Sequence, residues 1–386
     1  MHRKHVFAIL LLLGCLVQFA AGQTPPAKGS YLIYVGTYTG PESKGIYSYR
    51  FDPESGKAAP LGLAAESANP SFLAVDPQQR FLYAVNEVSD YKGEKSGGVS
   101  AFAIDRKTGK LTFLNEVASR GAGPCHVSLD KTGKHVLVAN YDSGNVAVFP
   151  VLADGRLGET TAFDQHSGHG PNAERQEGPH AHEIQVTPDN RFALVPDLGL
   201  DELVVYRFDA AKGALAANDP PFAKVEPGAG PRHFVLHPNG KFAFVLNEMG
   251  GSVDAFSYDS RRGALRHIQT VSSLPADFKG QNDSAEIQMD RSGKFLYASN
   301  RGPDTIAVFS VDAKTGMLKA VEQVPTTGKT PRNFVIDPTG KYLLAANQES
   351  NNIVVFRIDP KTGRLAKTDQ VIEAPSPVSI VFVSAE

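Results

Sequence analysis

The sequence predicts an all-β chain: a seven-bladed β-propeller with four antiparallel strands per blade, its ring closed by N- and C-terminal strands that share one blade. Three observations carry this expectation. An apolar strand ending in Asn-X or Asp-X recurs as FLYAVNE (81–87), HVLVANY (135–141), FALVPDL (192–198), FAFVLNE (242–248), FLYASNR (295–301) and YLLAANQ (342–348). Tight turns such as DKTGK, HPNGK and DPTGK punctuate the chain, and no helical periodicity interrupts it. The repeat period of about 50 residues is that of the longer propeller units.

In chain order, YLIYVGTY (31–38) aligns with the Asn-ending strand, with Gly36 where the Asn belongs. GIYSYRFDPESGKAAPL then supplies two further strands. Six full repeats follow. Each has an inner strand, a turn, the Asn-ending strand, a third strand such as SVDAFSY or TIAVFSV, a turn such as DAKTGML, and an outer strand. PVSIVFV, near the C-terminus, is the inner strand that the first segment lacks. Pairing the two ends removes two open sheet edges. Without Trp there is no WD dipeptide, so the scaffold is not of the WD40 class. No linker or composition shift divides residues 31–386, which read as one domain. The irregular stretch FDQHSGHGPNAERQE (163–177) reads as a long loop inside one blade, the kind of segment that often carries function.

Ahead of this domain, His2, Arg3, Lys4 and His5 precede the apolar run VFAILLLLGCLV, and Ala20-Ala21-Gly22 offers small residues before Gln23. This reads as a secretory signal over 1–22, followed by a short linker at 23–30. The expected location is therefore periplasmic or secreted, with no transmembrane span in the mature chain. A lipoprotein anchor at Cys15 is the competing reading. Cleavage removes Arg3 and Lys4 and no carboxylate, so the mature chain is two charges more negative than the formal −2. That balance argues against a general nucleic-acid binder. Cys125 would be the sole remaining cysteine, which excludes an intrachain disulfide. A closed propeller of this kind is expected to be a monomer.

Aligning the copies on their turns sets two kinds of position apart. Asn86, Asn140, Asp197, Asn247, Asn300 and Asn347 share one register, and their near-constancy suits a strand-end cap that bonds nearby backbone. The following residues, Glu87, Tyr141, Leu198, Glu248, Arg301 and Gln348, vary widely. So do Ser71, Cys125, His182, Arg232, Ala285 and Arg332 at the start of the inner strand, and their successors Phe72, His126, Glu183, His233, Glu286 and Asn333. Varied polar chemistry on a repeated frame near the channel mouth is what a ligand site grafted on a scaffold looks like. His182, Arg232, Glu248 and Arg301 would form an arc on one side of that mouth. Cys125 reads as an inert small residue.

The stretches GPHAHEIQVTPDNRFALVPDLG, GPRHFVLHPNGKFAFVLNE and FLYASNRG resemble the seven-bladed lactonase family, which includes propeller-type 6-phosphogluconolactonases and fungal carboxymuconate-lactonizing enzymes. The resemblance covers essentially the whole mature chain. It implies a catalytic set of His182, Arg232, Glu248 and Arg301, acting on a lactone or a hydroxy-acid or diacid anion without an organic cofactor. His180, Glu183, His233, Glu286, Arg332 and Gln348 are the candidate substrate-binding residues. A neutral histidine suits a general base, and arginines suit an oxyanion or carboxylate. Three alternatives stand beside this one: lactone formation from an unsaturated diacid, a non-catalytic binding propeller at the cell envelope, and a metal site. For metal, zinc would draw on His166, His169, His180 and His182, and calcium on Glu183, Asp197, Glu248 and Glu286. No metal is the expectation.

Overall fold

The computed structural model describes residues 29–386. The expected signal segment, Cys15 and most of the linker lie outside the described residues. From Tyr31 onward the chain forms seven four-stranded antiparallel sheets, each arranged from an inner strand outward. The closing blade has the expected composition. Pro377–Ser384 is its inner strand and pairs with Tyr31–Thr37 (Val35 opposite Ile380, Ile33 opposite Phe382); Gly45–Asp52 and Lys57–Glu66 complete it.

The apolar character of the repeated strand follows from its place in the sheet. In Phe242–Asn247 all six residues are buried, because adjacent blades cover both faces. Phe244 and Leu246 on one face pack against Leu296, Ala298 and Phe309 of the next blade, while Ala243 and Val245 on the other meet Leu194, Leu203 and Val205 of the preceding one. Alternation of side chains across a strand makes both sets available to neighbours. At the far end of several inner hairpins an aspartate holds the turn. Asp130 Oδ1, for example, accepts from the backbone N–H groups of Lys134 and His135 at 2.8 and 2.9 Å.

Two details differ from the sequence expectation. Of the stretch 163–177, residues up to Gln165 belong to the outer strand Ala162–Gln165, and the remainder crosses to the next blade rather than looping within one. In the closing blade Thr37, not Gly36, occupies the asparagine position. Thr37 faces Pro377 as Asn247 faces Pro231. Its hydroxyl donates to the Gly45 carbonyl at 2.7 Å, a threonine doing the strand-end bonding done elsewhere by an amide. Tyr38 therefore falls in the register of Glu248 and Arg301.

Candidate active site

The inner strands enter the channel through a repeated irregularity. Pro231 pairs with Asn247, but His233 pairs with Leu246, leaving Arg232 as an extra residue. The same shift isolates Cys125 between Pro124 and His126, and Arg332 between Pro331 and Asn333. His182 follows Ala181, which bridges to Asp197 in the equivalent way. A bulge bends its strand and re-aims the extra side chain. The capping asparagines hold this end of the blade in place: Asn86, Asn140 and Asn300 donate through Nδ2 to the carbonyls of Ala68, Ser119 and Ser273 in the incoming connections.

At the centre of the site lies Glu248, 5% exposed. Its Oε2 accepts from Arg232 Nε at 2.9 Å, and its Oε1 accepts from Arg175 Nη2 at 2.5 Å. Arg301 Nη2 stands 2.9 Å from Oε2 but off the hydrogen-bond axis, so this is a charge contact that leaves a buried donor without an acceptor. Arg301 itself is held by its Nε, which donates to the Asp283 carbonyl at 2.8 Å. Burial pushes the Glu248 carboxyl up, but Arg301, Arg232 and Arg175 outweigh it and hold the group at about 2.

His182 Nε2 lies 3.9 Å from Glu248 Oε2. Burial, reinforced by Arg232, His233 and Arg332, drives the His182 pKa well below its ordinary 6.5, so the imidazole is neutral. The His182 ring packs edge-on to Tyr141 and His233, with centroids 5.4 and 5.3 Å away. Beneath it Cys125 is buried, its thiol 3.3 Å from the His182 carbonyl oxygen, and burial pushes the thiol away from ionising. Across the mouth, Arg332 lies 5.3 Å over the Tyr38 ring, whose hydroxyl donates to Glu87. Among the described residues Arg332 makes no ion pair.

The four residues expected to be catalytic thus meet around one carboxylate, and Arg332 joins them from across the mouth. Gln348 opens a short 3₁₀ turn at the half-buried rim. His180 serves the frame: its ring stacks on Tyr141 at 4.5 Å and its Nδ1 lies 2.9 Å from the Tyr141 carbonyl oxygen. Among the described residues, Glu183 and Glu286 make no hydrogen bond or ion pair to Glu248, while His233 stands between, its ring centroid 5.3 Å from that of His182. With Phe72 and His126 these three line a separate cavity of about 650 Å³ lower in the channel. Arg232 lies between that cavity and Glu248, its Nη1 donating to the Ala285 carbonyl at 2.5 Å and resting against the His233 ring. Among the described residues, no three His, Cys, Asp or Glu side chains converge to hold a metal ion. His166 is bonded to Asp197 and Tyr206, and His169 is exposed, so the four histidines do not gather.

The lower cavity has a consequence for stability. Burial raises the Glu286 carboxyl from 4.5 to about 7, against the opposing pull of Arg232 and of the Asn333 amide, which donates to it at 2.7 Å. A raised native pKa means that stability is full below pH 4.5 and declines as the pH rises through about 7. Glu286→Gln is expected to flatten that decline. Urea midpoints at pH 5 and pH 8 check it: the wild type should lose more than the variant, and equal losses would refute the assignment.

Arg175, Tyr38, Tyr141 and Glu87 complete the site without having been expected in it. Glu87 and Tyr141 stand in the variable register, which was the available signal for them. The one-residue misalignment at Gly36 concealed Tyr38. Arg175 sits in the irregular stretch 163–177, whose sequence gives no geometry.

Residues 32–382 match the family described as Lactonase, 7-bladed beta-propeller. The chain belongs to this family. It is similar to the 6-phosphogluconolactonase of Bacillus subtilis, 42% identical over 308 residues, which span 80% of this chain and 85% of that protein. The 6-phosphogluconolactonase of Formosa agariphila is 36% identical over 311 residues, 79% of this chain and 86% of that one. Among solved structures, the periplasmic gluconolactonase of Pseudomonas aeruginosa superposes with a TM-score of 0.86 at 37% identity, covering 92% of this chain and 100% of that one. The propeller lactonase described here is accordingly a lactone-hydrolysing enzyme. No helix among its described residues is long and apolar enough to cross a membrane.

Proposed function

We propose that this lactonase opens a sugar-type lactone to its hydroxy acid, using His182 as general base and arginines as the electrostatic clamp. The observation that carries the reading is the excess of guanidinium groups. Arg175, Arg232 and Arg301 surround the single carboxylate of Glu248, while Arg332 and the Arg301 Nη2 donor have charge and hydrogens to spare. Such a pocket suits a carbonyl oxygen that gains negative charge, and then the carboxylate product.

In the step we envisage, water attacks the lactone carbonyl carbon as neutral His182 takes its proton. Arg301 and Arg332 face the developing oxyanion. The ring C–O bond then breaks, and the imidazolium returns the proton to the leaving alkoxide. Because the site disfavours imidazolium, that return is strongly driven. Glu248, ionised throughout, orients Arg232 and Arg301 and steadies the transient charge on His182; a carboxyl at about 2 is too weak a base to exchange protons itself.

Among the described residues Arg332 is the one site guanidinium without a carboxylate partner, and in this mechanism the developing oxyanion takes it, which leaves no free arginine for a 6-phosphate; an unphosphorylated aldonolactone is therefore the substrate we assign. The secretory segment read at 1–22 and the periplasmic relative also support an exported enzyme that meets its substrate outside the cytoplasm. The test is hydrolysis by the purified protein in a pH-stat, on glucono-δ-lactone and on its 6-phosphate, with and without EDTA. Faster turnover of the unphosphorylated lactone, unaffected by EDTA, is expected. Preference for the phosphate ester would overturn the substrate assignment, and no turnover of either would favour diacid cyclisation instead. Arg332→Leu is expected to lower kcat/KM by about 10- to 100-fold, the worth of a charged hydrogen bond; unchanged steady-state kinetics would remove Arg332 from the mechanism.

A further inference from the structure

The connection between the strands Ala162–Gln165 and Gln185–Val186 reaches over the site, and its anchors converge on one turn. Asp197, fully buried at the end of the strand Phe192–Asp197, occupies the register held by asparagine in five other blades. Its Oδ1 accepts from the backbone N–H groups of His180, Gly199 and Leu200 at 2.7, 3.0 and 3.2 Å. Its Oδ2 lies 2.5 Å from His166 Nδ1, and the other ring nitrogen of His166 lies 2.8 Å from the Tyr206 hydroxyl. Both ends of the connection are thus tied to one carboxylate. An asparagine has a single acceptor oxygen and would turn its amide donor toward one of these groups.

Between those ends, Gln176 is fully buried, and its Nε2 donates to the Leu198 carbonyl and to Asp201 Oδ1, each at 2.8 Å. The backbone N–H of Arg175 donates to Asn172 Oδ1 at 3.1 Å. The segment is therefore fixed on both sides of Arg175, whose guanidinium reaches Glu248 at 2.5 Å and Asp283 at 3.2 Å. We infer that this connection is a built part of the active site, in which Asp197 and Gln176 are positioning residues that hold Arg175 against Glu248. The inference rests on the role proposed above for Glu248. It also accounts for the one carboxylate in the asparagine register: here the strand end must gather N–H donors from a crossing segment.

The experiment uses Asp197→Asn and Gln176→Leu, each alone and in an Arg175→Ala background, with kcat/KM, the pH dependence of kcat and the melting temperature measured for all. Asp197→Asn installs the residue that five other blades carry at this position. Each single variant is expected to lower kcat/KM by about 10- to 100-fold, the cost of misplacing a site group by an ångström. Each should also move the acid limb of kcat upward, because Glu248 would keep Arg232, Arg301 and neutral His182 beside it but lose Arg175. In the Arg175→Ala background both kinetic effects should vanish while the loss of melting temperature persists. Unchanged kcat/KM in the single variants, or losses that add in full to that of Arg175→Ala, would overturn the inference. If Asp197→Asn fails to fold, the Gln176→Leu pair decides alone. Full turnover by Glu248→Gln would instead locate the failure in the reading beneath it.

Discussion

Replacing His182 with Gln is expected to lower kcat for lactone hydrolysis by about 10²- to 10⁴-fold, the usual contribution of a positioned general base. The loss should fall on turnover with little loss of stability. The native imidazole is neutral and buried, so a neutral amide of similar reach replaces it without stranding a charge. The wild-type pH profile adds an independent check. Burial, Arg232, His233 and Arg332 all disfavour the protonated ring, so the acid limb of kcat/KM should lie well below the ordinary imidazole value of 6.5. Steady-state kinetics from pH 4 to 8 on both proteins would show it. A variant with near wild-type turnover would remove His182 from the mechanism.

Glu248→Gln is expected to have two large effects with different pH dependence. Removing one member of a buried ion cluster leaves Arg232 and Arg301 uncompensated, which typically costs about 3–5 kcal/mol. It also frees Arg301, which the proposed mechanism aims at the carbonyl oxygen, and Arg232 beside it, so kcat should fall by about 10²-fold or more. The stability term has a definite sign. The carboxyl sits at about 2 in the folded protein against 4.5 ordinarily, so its contribution is complete above pH 4.5 and disappears as the pH falls through about 2. Denaturant midpoints should therefore differ widely between wild type and variant at pH 7, and the gap should narrow on acidification. A gap independent of pH would show that Glu248 is not the charge holding the cluster together.

Much of this architecture is legible because a propeller writes the same physics seven times. Strands buried on both faces must be apolar, and their ends need a side chain that bonds backbone, so FLYAVN, FAFVLN and YLLAAN betray one another. The four-residue core of the site follows from the same register. What register does not convey is depth. A bulge makes neighbours in sequence, such as His182 and Glu183, serve different levels of the channel, and adjacency in a string of letters does not show that. Thr37 escaped because a hydroxyl had taken over an amide's task. Arg175 escaped because its place is set by the tethers at His166, Gln176 and His180, contacts between residues far apart along the chain.

The pairing of Tyr31–Thr37 with Pro377–Ser384 has a consequence for the order in which the molecule can be finished. The wall of the channel in that blade is Pro377–Ser384, and it must find a partner some 350 residues back. Contacts of such long sequence separation form slowly, since a large loop must close before they can reward it. Until then the other blades can assemble, but the circle stays open along one edge, and the pocket lacks the enclosure that gives its buried charges their strength. Activity should therefore emerge late in refolding, in a single step with ring closure, after most of the sheet has already formed.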